Sequence, residues 1–137
     1  MSTLGVNITR KVVNLPDQVQ TRLLIWDLSG NEKFDGARAD YIRGSSGALL
    51  VCDLTREDTI DRLSYFKDYL CTYNTGIPII LIGNKSDLVE TTCQSIQHIK
   101  KIASEHQILY EITSAKTGNH VEAAFVTLAR LMVAKNE

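Results

Sequence analysis

At 137 residues the chain is expected to be one domain with a single sizeable core. Hydrophobic residues make up 44% and charged residues 23%, ordinary values for a soluble globular protein, and no apolar stretch approaches bilayer-spanning length. The formal charge of −1 gives no bulk electrostatic argument for nucleic acid or an anionic membrane surface.

In chain order, partial alternation in "VNITRKVVNL" (6–15) predicts a half-exposed strand, and "PDQ" (16–18) supplies turn chemistry. "QTRLLIWDL" (20–28) follows as a second strand, so the pair reads as a hairpin. "GALLVCD" (47–53) and "IPIILIGN" (77–84) are continuous apolar runs, the pattern of parallel strands buried on both faces. "ILYEI" (108–112) reads as the last strand. Between the runs the period becomes helical. Ile60, Leu63, Phe66, Leu70 and Tyr73 form one stripe, with Thr55 and Asp58 spaced as a capping box ahead of it. Ile96, Ile99 and Ile102-Ala103 form a second. Val121, Ala124-Phe125, Leu128 and Leu131-Met132 form a third, with Asn119 placed as N-cap and Glu122 at N3. Such stripes are first of all core packing. Alternating strands and helices predict an α/β three-layer sandwich with a mostly parallel sheet.

Cys52, Cys71 and Cys93 are odd in number and lack metal-ligand spacing, so reduced structural thiols in a cytosolic setting are expected. "MSTLGVNITR" has no signal-peptide core, and "LARLMVAKNE" has no cysteine to prenylate, so no direct membrane anchor is expected in this chain.

Ligands of open parallel sheets bind beyond the carboxyl ends of the strands. Three polar segments occupy such positions: "DLSGNE" (27–32), "GNKSD" (83–87) and "TSAKTG" (113–118). Each alone is an ordinary loop; their joint order and placement are not. Together they resemble the base-reading and switch motifs of the Ras superfamily of small GTPases, the Rab branch most closely. "STLGVNI" (2–8) is similar to the end of a Rab switch I, "IWDLSGNEKF" (25–34) to the start of switch II, and "YIRGSSGALLVCDLT" (41–55) to the strand beyond it.

The resemblance implies a Rab-like GTP-binding molecular switch, a GTP hydrolase using Mg²⁺ with GTP or GDP and acting in vesicle trafficking. Guanine offers two adjacent N–H donors, which the Asp87 carboxylate can accept together, whereas adenine presents a lone pair there. A buried site of this design rejects the mispaired analogue by roughly 10⁴-fold. Asn84 would brace the loops and contact the base, and the stems of Lys85 and Lys116 would cover its faces. By resemblance, the Ala115 N–H donates to the guanine carbonyl and Ser114 steadies that loop. Asp27 and Thr3 would hold Mg²⁺, and Gly30 would bring its backbone N–H to the γ-phosphate. Effectors and regulators would bind the switch surface through Ile8, Trp26 and Tyr41, in the cytoplasm at the periphery of endomembranes. Trp26 equally suits plain hairpin packing.

Two departures matter. Asn31 stands where the family's catalytic, water-orienting glutamine is usual, one methylene shorter, and a misplacement of about 1 Å costs roughly 100-fold in rate, so hydrolysis is expected to be slow. The sequence also contains no G-x-x-x-x-G-K-[ST] phosphate-binding loop. Relative to the family, the first strand, that loop and the first helix are missing, which leaves a gap in the sheet. Three readings follow: an incomplete GTP-binding protein, a nucleotide-independent pseudo-GTPase interaction module, or a remnant that does not fold stably. An in-frame phosphate-loop motif upstream of Met1 would separate the first two.

Overall fold

The computed structural model describes residues 6–15, 20–28, 40, 42–90 and 92–135. In chain order these form β1 (Val6–Asn14), β2 (Gln20–Leu28), β3 (Ala48–Asp53), α1 (Glu57–Asp61), α2 (Leu63–Tyr73), β4 (Ile79–Asn84), a 3₁₀ turn (Ser86–Leu88), α3 (Gln94–His106), β5 (Leu109–Ile112) and α4 (Val121–Lys135). The strands expected from sequence are all present, each within two residues of its expected ends. The turn expected at 16–18 lies outside the described residues.

β1 and β2 pair antiparallel from Val6↔Leu28 to Asn14↔Gln20, as the hairpin reading requires. The other three strands form a parallel sheet in the order β3-β4-β5. β4 is buried along nearly its whole length and divides the core by the period of two that any strand imposes. Leu81 faces α1, α2 and α3, in a cluster with Cys52, Ile60, Leu63, Ile99, Ile102 and Ala103. Ile80 and Ile82 face α4 and pack on Ala124 and Leu128. Each such fully buried aliphatic side chain contributes about 1.5–3 kcal/mol. The three-layer α/β expectation therefore holds. Burial pushes the Cys52 thiol up to about 12, with the charge of Asp53 adding to the effect, so it stays an inert protonated group.

Three details depart from the sequence reading. The stripe from Ile60 to Tyr73 is two helices that meet at Arg62, which keeps right-handed α torsions (φ −85°, ψ −8°) while ending the first and preceding the second. The residue before α1 is Arg56, and the hydroxyl and N–H of Thr55 both turn back to Asp53 Oδ1, so Thr55 and Asp58 make no capping box. Asn119 lies one residue too early to cap α4. His120 intervenes, and the Asn119 carbonyl instead accepts the Ser114 N–H at 3.1 Å.

β3 also differs from a strand buried on both faces, since Val51 is 60% exposed. β3 is the edge strand of its sheet among the described residues, so its side chains lack neighbours on one flank. The N–H groups of Ala48 and Leu54 donate to Pro78 and Asn84, so even-numbered amides point to β4. Leu49 and Val51 then point their amides to the opposite edge, which pairs with no strand among the described residues. The two sheets are thus separate ladders, in keeping with the expected gap. α4 spans them, holding β4 on one side and Val13 and Leu15 on the other.

Candidate functional site

The parallel register brings the strand ends level: Asp53 lies opposite Asn84, and Gly83 opposite Ile112. Three loops therefore leave the sheet side by side. After β4 the backbone turns through Lys85 in the left-handed region (φ 69°), which a non-glycine residue occupies only when its surroundings hold it there. The N–H of Ser86 donates to the Thr113 carbonyl at 3.0 Å, and the N–H of Thr113 to the Gly83 carbonyl at 2.8 Å. The two loops are stitched together by backbone before any side chain contributes.

Side chains complete the clasp. Asn84 Oδ1 accepts the Thr113 hydroxyl at 3.1 Å and the Ala115 N–H at 3.0 Å. Ser114, only 1% exposed, donates its hydroxyl to Asp87 Oδ1 at 2.7 Å and accepts the Thr117 N–H at 3.2 Å. Asp87 itself is exposed, and its Oδ2 has no hydrogen-bond partner among the described residues. An ionised carboxylate offers about four lone-pair positions, so one bond from Ser114 leaves the group able to accept two parallel N–H donors. The clasp fixes the carboxylate without using it up. Lys116 is exposed on the neighbouring loop.

Lys85 and Asp53 form the other side of the cluster, Nζ to Oδ2 at 2.9 Å. Asp53 was not singled out from sequence. Its signal was available: it ends an apolar strand with a carboxylate, much as Asp27 stands one residue before the end of β2. Its Oδ1 accepts the Thr55 N–H at 2.9 Å and hydroxyl at 2.6 Å, and its own N–H donates to Thr59 Oγ1 at 3.0 Å. The Thr55 hydroxyl foremost, then Lys85, hold the Asp53 carboxyl at about 2, below its ordinary 3.8. A depressed carboxyl stabilises the fold above its unfolded pKa, and that contribution is lost as pH falls through the folded one. The stability difference between the native chain and Asp53→Asn, read from urea midpoints, should therefore be full near neutral pH. It should shrink from about pH 4 down to about pH 2. A difference that stays constant across that window would refute the assignment.

Of the residues singled out from sequence, Asn84, Lys85, Asp87, Ser114, Ala115 and Lys116 come together at this one site. The Ala115 N–H, expected to meet a base carbonyl, is here engaged by Asn84. Thr113, missed from sequence, closes the clasp from below. Ile8 and Trp26 lie opposite each other in the hairpin register, and Asn7 opposite Asp27, which is the penultimate residue of β2. Thr3, Gly30, Asn31 and Tyr41 lie outside the described residues, so the phosphate and metal end of the site has no described geometry.

A parallel sheet with interlocked Asn-Lys-x-Asp and Ser-Ala-Lys loops at its carboxyl edge defines an α/β nucleotide-binding protein of the small-GTPase type. The model of the Ras family matches residues 1–134, essentially the whole chain. The chain belongs to the Ras family, whose general function is GTP binding with Mg²⁺ and contact with effectors and regulators.

Proposed function

We propose that this chain is a Rab-like member of the family whose 84–87 and 114–116 loops read guanine. The observation that carries the reading is the Ser114 hydroxyl at 2.7 Å from Asp87, which leaves the carboxylate aimed and still able to accept two donors. Asn84 supports the same reading by joining both loops through one oxygen. When complete with a phosphate loop, the molecule would hold Mg²⁺ through Asp27 and Thr3, and the ion would supply charge neutralisation at the phosphates. Asn31 would orient water poorly, so hydrolysis is slow. Ile8, Trp26 and Tyr41 would present the switch surface to effectors, in the cytoplasm beside endomembranes and in vesicle traffic.

A second reading, a nucleotide-independent interaction module, applies only if no G-x-x-x-x-G-K-[ST] motif precedes residue 1; residues 1–137 contain none. Base contacts alone do not replace the phosphate and metal contributions. Titrating the 1–137 chain with a fluorescent GTP analogue, with and without Mg²⁺ and with ATP as competitor, tests both. The expected result is weak, Mg²⁺-insensitive binding that ATP does not displace. Submicromolar, Mg²⁺-dependent affinity would overturn the missing phosphate grip. Equal competition by ATP would overturn guanine reading.

A further inference from the structure

Away from the base loops, α1 and α3 meet at a group of three side chains that the GTP-binding reading does not use. Glu57 and Asp61 are four residues apart on α1, so they share one face of that helix. His98 on α3 faces them. Its Nδ1 lies 3.1 Å from Glu57 Oε2 and its Nε2 lies 3.8 Å from Asp61 Oδ1. One donor atom from each residue can be chosen so that all three lie within 4.8 Å of one another.

We infer that Glu57, Asp61 and His98 form a binding site for a single divalent cation of the zinc class, joining α1 to α3. The donor chemistry sets the class. One imidazole nitrogen with two carboxylates suits Zn²⁺ and its transition-metal neighbours, whereas Ca²⁺ and Mg²⁺ take oxygen ligands and rarely nitrogen. Three protein ligands leave the fourth tetrahedral position for water. Two carboxylates and a neutral imidazole also neutralise the ion's charge.

The geometry needs only a small closure. Zn–N and Zn–O bonds of about 2.0–2.2 Å place tetrahedral donors roughly 3.3–3.6 Å apart. Separations of up to 4.8 Å exceed that by as much as about 1.5 Å, and side-chain exposures of 52% for Glu57, 65% for Asp61 and 31% for His98 leave the rotamers free to supply the closure. Ser95, one turn before His98, holds Glu57 Oε1 at 3.4 Å and limits how far that carboxylate can swing. Without the ion, the ring Nδ1 lies within hydrogen-bond distance of Glu57 Oε2. With it, one ring nitrogen gives its lone pair to the metal, and binding releases any proton that nitrogen carried. Such exposure makes the site one that loads from solvent and exchanges, rather than a closed structural centre.

The test is a calorimetric titration of the whole 1–137 chain with ZnCl₂ in a non-chelating buffer. Cys71 and Cys93 are changed to serine beforehand, because half-buried thiols also bind zinc. The expected result is one saturable ion per chain, with affinity falling at least about tenfold in both His98→Ala and Asp61→Asn. Zinc should also raise the thermal midpoint of the parent and not of either variant, as expected for an ion that binds only the folded chain. Absence of saturable binding would overturn the site, as would equal affinity in the variants. Loss of binding on removing the two cysteines would assign the ion to the thiols and overturn it equally.

Discussion

Guanosine added at millimolar concentration should shift the backbone amides of 83–87 and 113–117 in a heteronuclear NMR titration, adenosine should not, and Asp87→Asn should abolish the guanosine response. The argument rests on one functional group. Asparagine keeps the shape of aspartate but replaces one acceptor oxygen with an N–H₂ donor, so it can accept one guanine N–H and must oppose the other. A hydrogen bond to a charged group contributes about 1.5–3 kcal/mol, so replacing one of the pair with a donor–donor clash and making the other neutral weakens guanosine binding on the order of 100-fold. The factor sits below the roughly 10⁴-fold expected of a buried reader, because Asp87 is exposed and water competes for its oxygens. Xanthosine carries a carbonyl in place of the guanine amino group. It complements the asparagine amide, so its response should appear as that of guanosine disappears. A guanosine response unchanged in Asp87→Asn would remove this carboxylate from base recognition.

The largest effect on stability should come from a single added methyl group at Gly83. A Cβ there would stand 2.8 Å from Leu54 Cδ2, 3.1 Å from Ile112 Cδ1 and 3.2 Å from Ile99 Cδ1. All three neighbours belong to packed elements, and Leu54 and Ile99 are themselves buried. All three contacts are terminal methyl groups, so relief must come from rotamer changes within packed surroundings. Overpacking of this kind costs about 1–3 kcal/mol, a large share of the roughly 5–15 kcal/mol that holds a typical small domain folded. Gly83→Ala should lower the urea midpoint accordingly, and Gly83→Val should do so further. The carbonyl of the same residue accepts the Thr113 N–H, and the residue precedes Asn84, so the damage should also reach the base loops. An alanine variant with an unchanged midpoint would show that the strand ends have room to move.

Much of this was legible in the sequence because the signals are local or periodic. The runs at 47–53 and 77–84 announce parallel strands through apolar continuity, and Asn84, Asp87 and Ser114 announce a site through their place after strand ends. What was not legible depends on tertiary contact. The apolar spacing from Ile60 to Tyr73 fits one helix as well as two, and only the structure shows two that meet at Arg62. Thr55 has the spacing of a cap, but a nearer carboxylate on Asp53 takes its hydrogen bonds. Asn119 likewise turns to Ser114 across the loop. The exposure of Val51 follows from which strands lie beside β3, a matter of sheet order that composition does not encode.

α4 begins directly after the base loop, since the Gly118 N–H donates to the Ser114 carbonyl just before the helix starts. Further along, its Met132 contacts both the cluster under β4 and the cluster under β1. No ladder joins the two sheets among the described residues, so the hairpin bearing Ile8 and Trp26 is tied to the base loops by one shared wall. In exchange terms, α4 buries Val13 and Leu15, so its detachment should lower the protection of the β1–β2 ladder. Whatever quiets the loop at Ser114 should slow deuterium uptake in the hairpin that α4 also holds.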